Sequence, residues 1–195
     1  MLQEICAASS MKATSALSRF LKIPLKLNIK PVEINSIKKI NLPNYSDNMS
    51  VSLFSQIKTQ LVKGASSFLF TQKSAFAVCD FLLNRSEGST NKLTEVEDSA
   101  LKELANIVLG NFLTSFAQSL LTGAMMHSPA VIENEKFLEI IKHIRNLLTE
   151  SLGDNSAINI AFSYEHGNVK GDINIVLESG KVLSQLRELM VLSNG

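Results

Sequence analysis

The sequence predicts an α+β domain. An antiparallel sheet drawn from two related halves packs against two long helices, near residues 3–21 and 95–121. Three observations carry this reading. Apolar residues recur at helical period in both long stretches. Shorter apolar or alternating stretches, bounded by turn residues, read as strands. The order helix, strand, two paired strands, helix occurs twice along the chain, which points to an internal duplication. The halves fall at about 1–86 and 92–195 of a single domain.

Each element has a local cause. Residues 3–21 place Ile5, Ala8, Ala13, Ala16, Leu17, Phe20 and Leu21 near helical spacing, and Pro24 stops the helix. Leu25 to Ile29 alternates with period two and Val32-Glu33-Ile34 resumes it, so a strand with Pro31 at a weak point is expected. Residues 35–49, with Asn, Ser, Lys, Pro43 and Asp47, read as a loop. Residues 51–61 and 65–70 are expected to be paired strands joined near Val62-Lys63-Gly64, followed by a short helix over 74–83. The polar run 84–93 (NRSEGSTNKL) is the candidate linker between the halves.

Thr94 and Glu97 form a capping-box pattern, and a helix should run from there to about Leu121. Residues 123–133 should be extended around Pro129. Phe137, Ile140, Ile141, Ile144, Leu147 and Leu148 predict an amphipathic helix over 135–150, the extra element of the second half, with Lys136, Lys142, His143 and Arg145 on a solvated charged face. Residues 157–164 and 169–177 are strands around a turn at 165–168, and 181–192 closes as a helix. Val62-Lys63-Gly64 is echoed by Val169-Lys170-Gly171, each before an apolar strand and a helix.

Composition narrows the function. With 19 Lys+Arg against 18 Asp+Glu the net charge is +1, which argues against a protein whose main task is gripping nucleic acid or an anionic membrane. No secretory signal opens the chain, and no window has the roughly 20 apolar residues of a membrane span. Cys6 and Cys79 are far apart in apolar helical patterns, so two reduced, buried thiols in a cytoplasmic protein are expected. His127, His143 and His166 are scattered, and no metal-ligand spacing or phosphate-binding loop occurs.

One helix carries chemistry. Ser99, Glu103, Asn106 and Gly110 share one stripe, while Leu101, Leu104, Ala105, Val108, Leu109, Phe112 and Phe116 occupy much of the opposite side. Polar stripes on amphipathic helices are routine, so periodicity alone indicates only a solvated face. Gly110 reads as a position of close approach, either by a partner's backbone or, the plainer reading, by a neighbouring helix.

The wider pattern is Ser99-x-x-x-Glu103-x-x-Asn106, closed by Pro129 after the interval 107–128. It resembles the signature of the CheC/CheX/FliY phosphatases of chemotaxis, with all four fixed positions at the family spacing. The resemblance implies the family's pseudo-twofold fold and hydrolysis of the aspartyl phosphate of a CheY-type response regulator. Asn106 would orient the attacking water and Glu103 would pair with the regulator's active-site Lys, with Ser99 and Pro129 in support. It implies no cofactor of the chain's own, since the regulator supplies Mg²⁺. A CheD-type deamidase is a second partner that the family suggests, and a homodimer stays open.

In the first half Glu4 takes the place of Glu103, but Ala7 stands where the Asn should be. The step from Asn106 to Pro129, taken from Ala7, lands on Lys30, with Pro31 one position late. The first half reads as a copy that keeps the fold without the site. Two further readings remain: a non-catalytic module of the same fold that binds a response regulator or a CheD-type deamidase, and a scaffold with a chance motif.

Overall fold

The computed structural model describes residues 1–22, 27–41, 50–58, 63–120, 130–135, 142, 145–146, 148–150, 156–166 and 169–193. Helix α1 spans Leu2–Leu21 and ends at Lys22, which turns left-handed (φ 54°) and donates its amide to the Ser18 carbonyl. Pro24, the predicted stop, lies outside the described residues. The strand expected over 25–34 is two pieces, β1 (Leu27–Ile29) and β2 (Glu33–Ser36), both antiparallel to β6 (Ser156–His166). The break falls at Pro31, which has no amide to give a ladder. The Lys30 amide still reaches the Ala161 carbonyl (2.8 Å), and the Val32 amide reaches the Gln3 side chain (2.8 Å).

The remaining elements are β3 (Ser50–Lys58), β4 (Lys63–Thr71), α2 (Gln72–Leu82), α3 (Glu95–Ser119), β5 (Ala130–Glu135), β7 (Val169–Glu178) and α4 (Ser179–Ser193). They form one antiparallel sheet in the order β1-β6-β7-β4-β3-β5, with β2 also on β6. Exchanging β1, β3 and β4 for β5, β6 and β7 returns the same order read backwards, so a pseudo-twofold runs between β4 and β7. The two hairpins repeat in register. In the first, Ser50 faces Thr71 and Lys58 faces Lys63. In the second, their counterparts pair the same way: Ala157 faces Glu178 and Glu165 faces Lys170.

The repeated Val-Lys-Gly has a physical cause. Gly64 and Gly171 stand at opposite ends of the β4–β7 ladder, facing Leu177 and Phe70. A Cβ on Gly64 would come within 2.4 Å of the Val176 carbonyl oxygen, and one on Gly171 within 2.8 Å of the Phe70 ring. Neither strand has room for a side chain where it crosses to the other half.

One face of the sheet packs on α1 and α3, with Leu53, Phe68, Ile160, Phe162 and Ile173 in the core; Phe112 meets Phe162 edge to face at 5.3 Å. Leu17 and Leu21 share a cavity wall with Leu104 and Val108, whereas Lys12 lies by residues 110–118, so the two helices run antiparallel. They are counterparts at six matching positions: Cys6, Ser9, Ser10, Ala13, Leu17 and Leu21 are buried, and so are Ala105, Val108, Leu109, Phe112, Phe116 and Leu120.

Three expectations need correction. Residues 35–41 are not simply a loop. Ser36 ends β2, a 3₁₀ turn follows at Ile37–Lys39, and Ile37 and Ile40 are buried against Phe54, Leu69, Leu148 and Val176 on the sheet's second face. Two isoleucines among polar residues show no period, so only the sheet reveals their partners. Residue 135 ends β5, opposite Ser50, rather than opening a helix; helical residues occur at 142, 145–146 and 148–150. Arg145 is not part of a solvated face, since its guanidinium donates to the carbonyls of Lys38 (3.0 Å) and Ile40 (3.1 Å).

Candidate functional site

Helix α3 is anchored at its start by two buried carboxylates. Thr94 is extended at the N-cap, and Glu97 closes the capping box by accepting from the Thr94 amide (2.9 Å) and hydroxyl. The same carboxylate takes the Arg85 guanidinium. The Thr94 hydroxyl and then Arg85 hold the Glu97 carboxyl down to about 2, against burial. Asp80, at the end of α2, accepts the amides of Gly88 (2.7 Å), Ser89 (3.1 Å) and Thr90 (2.8 Å). Burial pushes its carboxyl up, but the hydrogen bonds from Thr90, Gly88 and Ser89 together hold it below the usual range. The polar run 84–93 is therefore a strap tied to α2 and α3 rather than a loose linker. Thr94 and Glu97 were legible as a capping box; an Asp inside the apolar α2 pattern was the one sign of the rest.

From this anchored turn the site stripe projects. Ser99 and Glu103 are exposed and Asn106 and Gly110 half-buried, while Leu101, Leu104, Ala105, Val108, Leu109, Phe112 and Phe116 are all buried, as the periodicity predicts. Glu103 and Asn106, a turn apart, are near neighbours on the helix surface. Among the described residues neither side chain makes a hydrogen bond or ion pair. Their neighbours differ: the Lys102 ammonium is drawn to Asp98, and the Asn111 amide donates to the Ile107 carbonyl (2.8 Å). The exposed face thus presents one carboxylate, and one amide with an acceptor and two donors, to whatever approaches from outside.

Gly110 departs from expectation. Among the described residues a Cβ there would meet nothing within 4 Å, so no described helix closes on it. It opens instead onto a groove of about 350 Å³ between α3 and Lys12 of α1. Pro129 lies outside the described residues; the next residue, Ala130, begins β5 and pairs with Phe54.

In the first half Glu4 is exposed and paired with the Met1 amine (3.0 Å), and Ala7 is half-buried. The correspondence of α1 with α3 puts Glu4, Ala7 and Met11 at the places of Glu103, Asn106 and Gly110. Met11 is 72% exposed. Lys30 is paired with Asp172 (3.0 Å). Cys6 and Cys79 are free and buried; burial pushes both thiols up to about 12, for Cys79 with help from the Glu97 and Asp80 carboxylates, so neither is a nucleophile at neutral pH. Among the described residues no three His, Cys, Asp or Glu side chains gather as a metal site, and no helix is long and apolar enough to cross a membrane.

The CheC-like family model matches residues 96–133, the segment that contains Ser99, Glu103, Asn106 and Pro129. The fold is similar to that of FliY from Thermotoga maritima (18% identity, 92% of this chain and 88% of that one, TM-score 0.68). It is also similar to CheX from Desulfovibrio desulfuricans (15%, 90% and 99%, 0.59) and to the FliM middle domain from Vibrio alginolyticus (13%, 97% and 99%, 0.62). No curated protein matches the chain in sequence.

Proposed function

Starting from a chain that is CheC-like in its 96–133 segment and in its fold, we propose that it hydrolyses the aspartyl phosphate of a CheY-type response regulator in chemotaxis signalling. The observation that carries this reading is a carboxylate and an amide on one exposed helix face, about a turn apart, with no partner among the described residues to occupy either. The fold alone does not choose an activity, because FliY, CheX and FliM all share it.

An acyl phosphate is already activated, and the regulator brings its own Mg²⁺ and Lys to the phosphoryl oxygens. What it lacks is a water held in line with the P–O bond. The Asn106 amide oxygen accepts a hydrogen bond from that water, and its NH₂ donates to a phosphoryl oxygen. The water oxygen bonds to phosphorus as the bond to the regulator's carboxylate breaks, and the water's proton leaves with inorganic phosphate. This is catalysis by positioning. Glu103 pairs with the regulator's Lys and sets the register. Ser99 lies on the same stripe and supports the contact.

The first half, with Ala7 in place of an amide, keeps a second reading open: a module that binds a regulator, or a CheD-type deamidase, without turnover. One experiment separates them. Decay of a phosphorylated CheY-type regulator is measured against protein concentration. Asn106→Ala should leave the fold and most regulator binding intact, with stability within about 0.5 kcal/mol, and slow decay on the order of 10²-fold. Glu103→Ala should weaken association as well, and raised salt should reproduce part of that loss. Equal decay with wild type and Asn106→Ala would leave the binding module.

A further inference from the structure

The pseudo-twofold supplies an internal comparison for one residue to which the proposed chemistry gives no role. Gly110 lies one turn beyond Asn106 on the same exposed stripe, and a side chain there would point into open space. A glycine inside a helix is disfavoured, and among the described residues no packing requires one here. At the counterpart position of α1, in the half that has no amide, stands Met11, with its side chain in solvent. The half with the amide has bare backbone at this position, and the half without it has the longest flexible apolar side chain available.

We infer that Gly110 is the seat for the regulator: the bare helix surface lets the regulator's backbone close on α3, so that the Asn106 amide reaches the phosphoryl group. This rests on the phosphatase reading. Met11 bars the same approach on α1, so the first half is closed to a regulator twice, by the missing amide and by bulk. Gly110 is thereby a specificity-determining contact whose effect depends on the size of the side chain placed there.

The test is a size series. Gly110→Ala and Gly110→Met, the second reproducing the first half's side chain, should both fold, because among the described residues nothing lies within 4 Å of the new Cβ. Circular dichroism and the melting curve confirm this. Binding is read with purified CheY-type receiver domains of the source organism, held in the phosphorylated form by beryllofluoride and Mg²⁺, so that no turnover is needed. Gly110→Met should weaken binding about tenfold or more and lower kcat/KM on the order of 10²-fold, since a shift of about 1 Å is enough for such a loss. Gly110→Ala should fall between it and wild type. Binding by Gly110→Met within twofold of wild type, with the fold intact, overturns the inference whatever the activity. Loss of turnover in Asn106→Ala with no change in binding bears on the phosphatase reading alone, so the two can fail separately.

Discussion

Gly64→Ala should destabilise the protein by about 2 kcal/mol, the net of overpacking against a stiffer unfolded chain. The structure sets both the sign and the size. The new Cβ would lie 2.4 Å from the Val176 carbonyl oxygen, 2.7 Å from Leu177 Cδ2 and 3.3 Å from Leu177 Cα. Real Cβ contacts essentially never fall below 3.0 Å, so the partner backbone must retreat from 2.4 Å to at least that distance. Val176 sits in β7, at the centre of the sheet between β6 and β4, and cannot move without loosening both ladders. Overpacking of this kind costs about 1–3 kcal/mol, and a contact with main chain belongs at the upper end. The restricted unfolded chain returns about 0.4–1 kcal/mol. For a chain of this size the net is a fall of about 4–8 °C in Tm. Gly171→Ala meets mainly the Phe70 ring at 2.8 and 2.9 Å, a side chain that can turn, and should cost about half as much. Gly110→Ala should gain about 1 kcal/mol, as for a helical glycine whose added Cβ meets open space. Thermal and urea unfolding of the three variants reads all of this. Gly64→Ala melting at or above wild type would refute the claim that the Val-Lys-Gly repeat is kept for close strand approach.

Two further outcomes follow from the same geometry. Glu97 is held down to about 2, so its stabilisation is complete above its unfolded value near 4.5 and is lost as pH falls from there towards 2. Tm should drop across that window. Glu97→Gln should lower Tm at pH 7 and flatten the acid limb, and an unchanged limb in Tm against pH would remove the strap from the stability of α3. Glu4→Ala should leave regulator decay unchanged, because Ala7 offers neither donor nor acceptor beside it; a loss as large as that of Glu103→Ala in the same decay assay would contradict the single-site reading.

Much of the architecture was legible because it rests on periodicity. The apolar stripe from Leu101 to Phe116 identifies the buried side of α3, and therefore the side on which Glu103 and Asn106 must stand. The repeated element order and the Val-Lys-Gly echo disclose the duplication along the chain itself. The spacing from Ser99 to Pro129 names the family resemblance, and the match over 96–133 agrees with it.

What the sequence by itself determined are these local and one-dimensional facts: which segments are amphipathic, which residues share a helix face, and which motif they spell. Only the tertiary structure decided what lies across from each. It buried Ile37 and Ile40, which have no period of their own, by laying them on the sheet's second face. It brought Asp80, Arg85 and Glu97 together around a strap that reads as plain polar chain. It left the surface beyond Gly110 open where helix packing was expected, and set Met11 at the matching place in the other half. The reason is common to all of these: a residue's own neighbours along the chain fix its helix or strand face, but the partner on that face comes from distant segments of the chain, and only folding places it there.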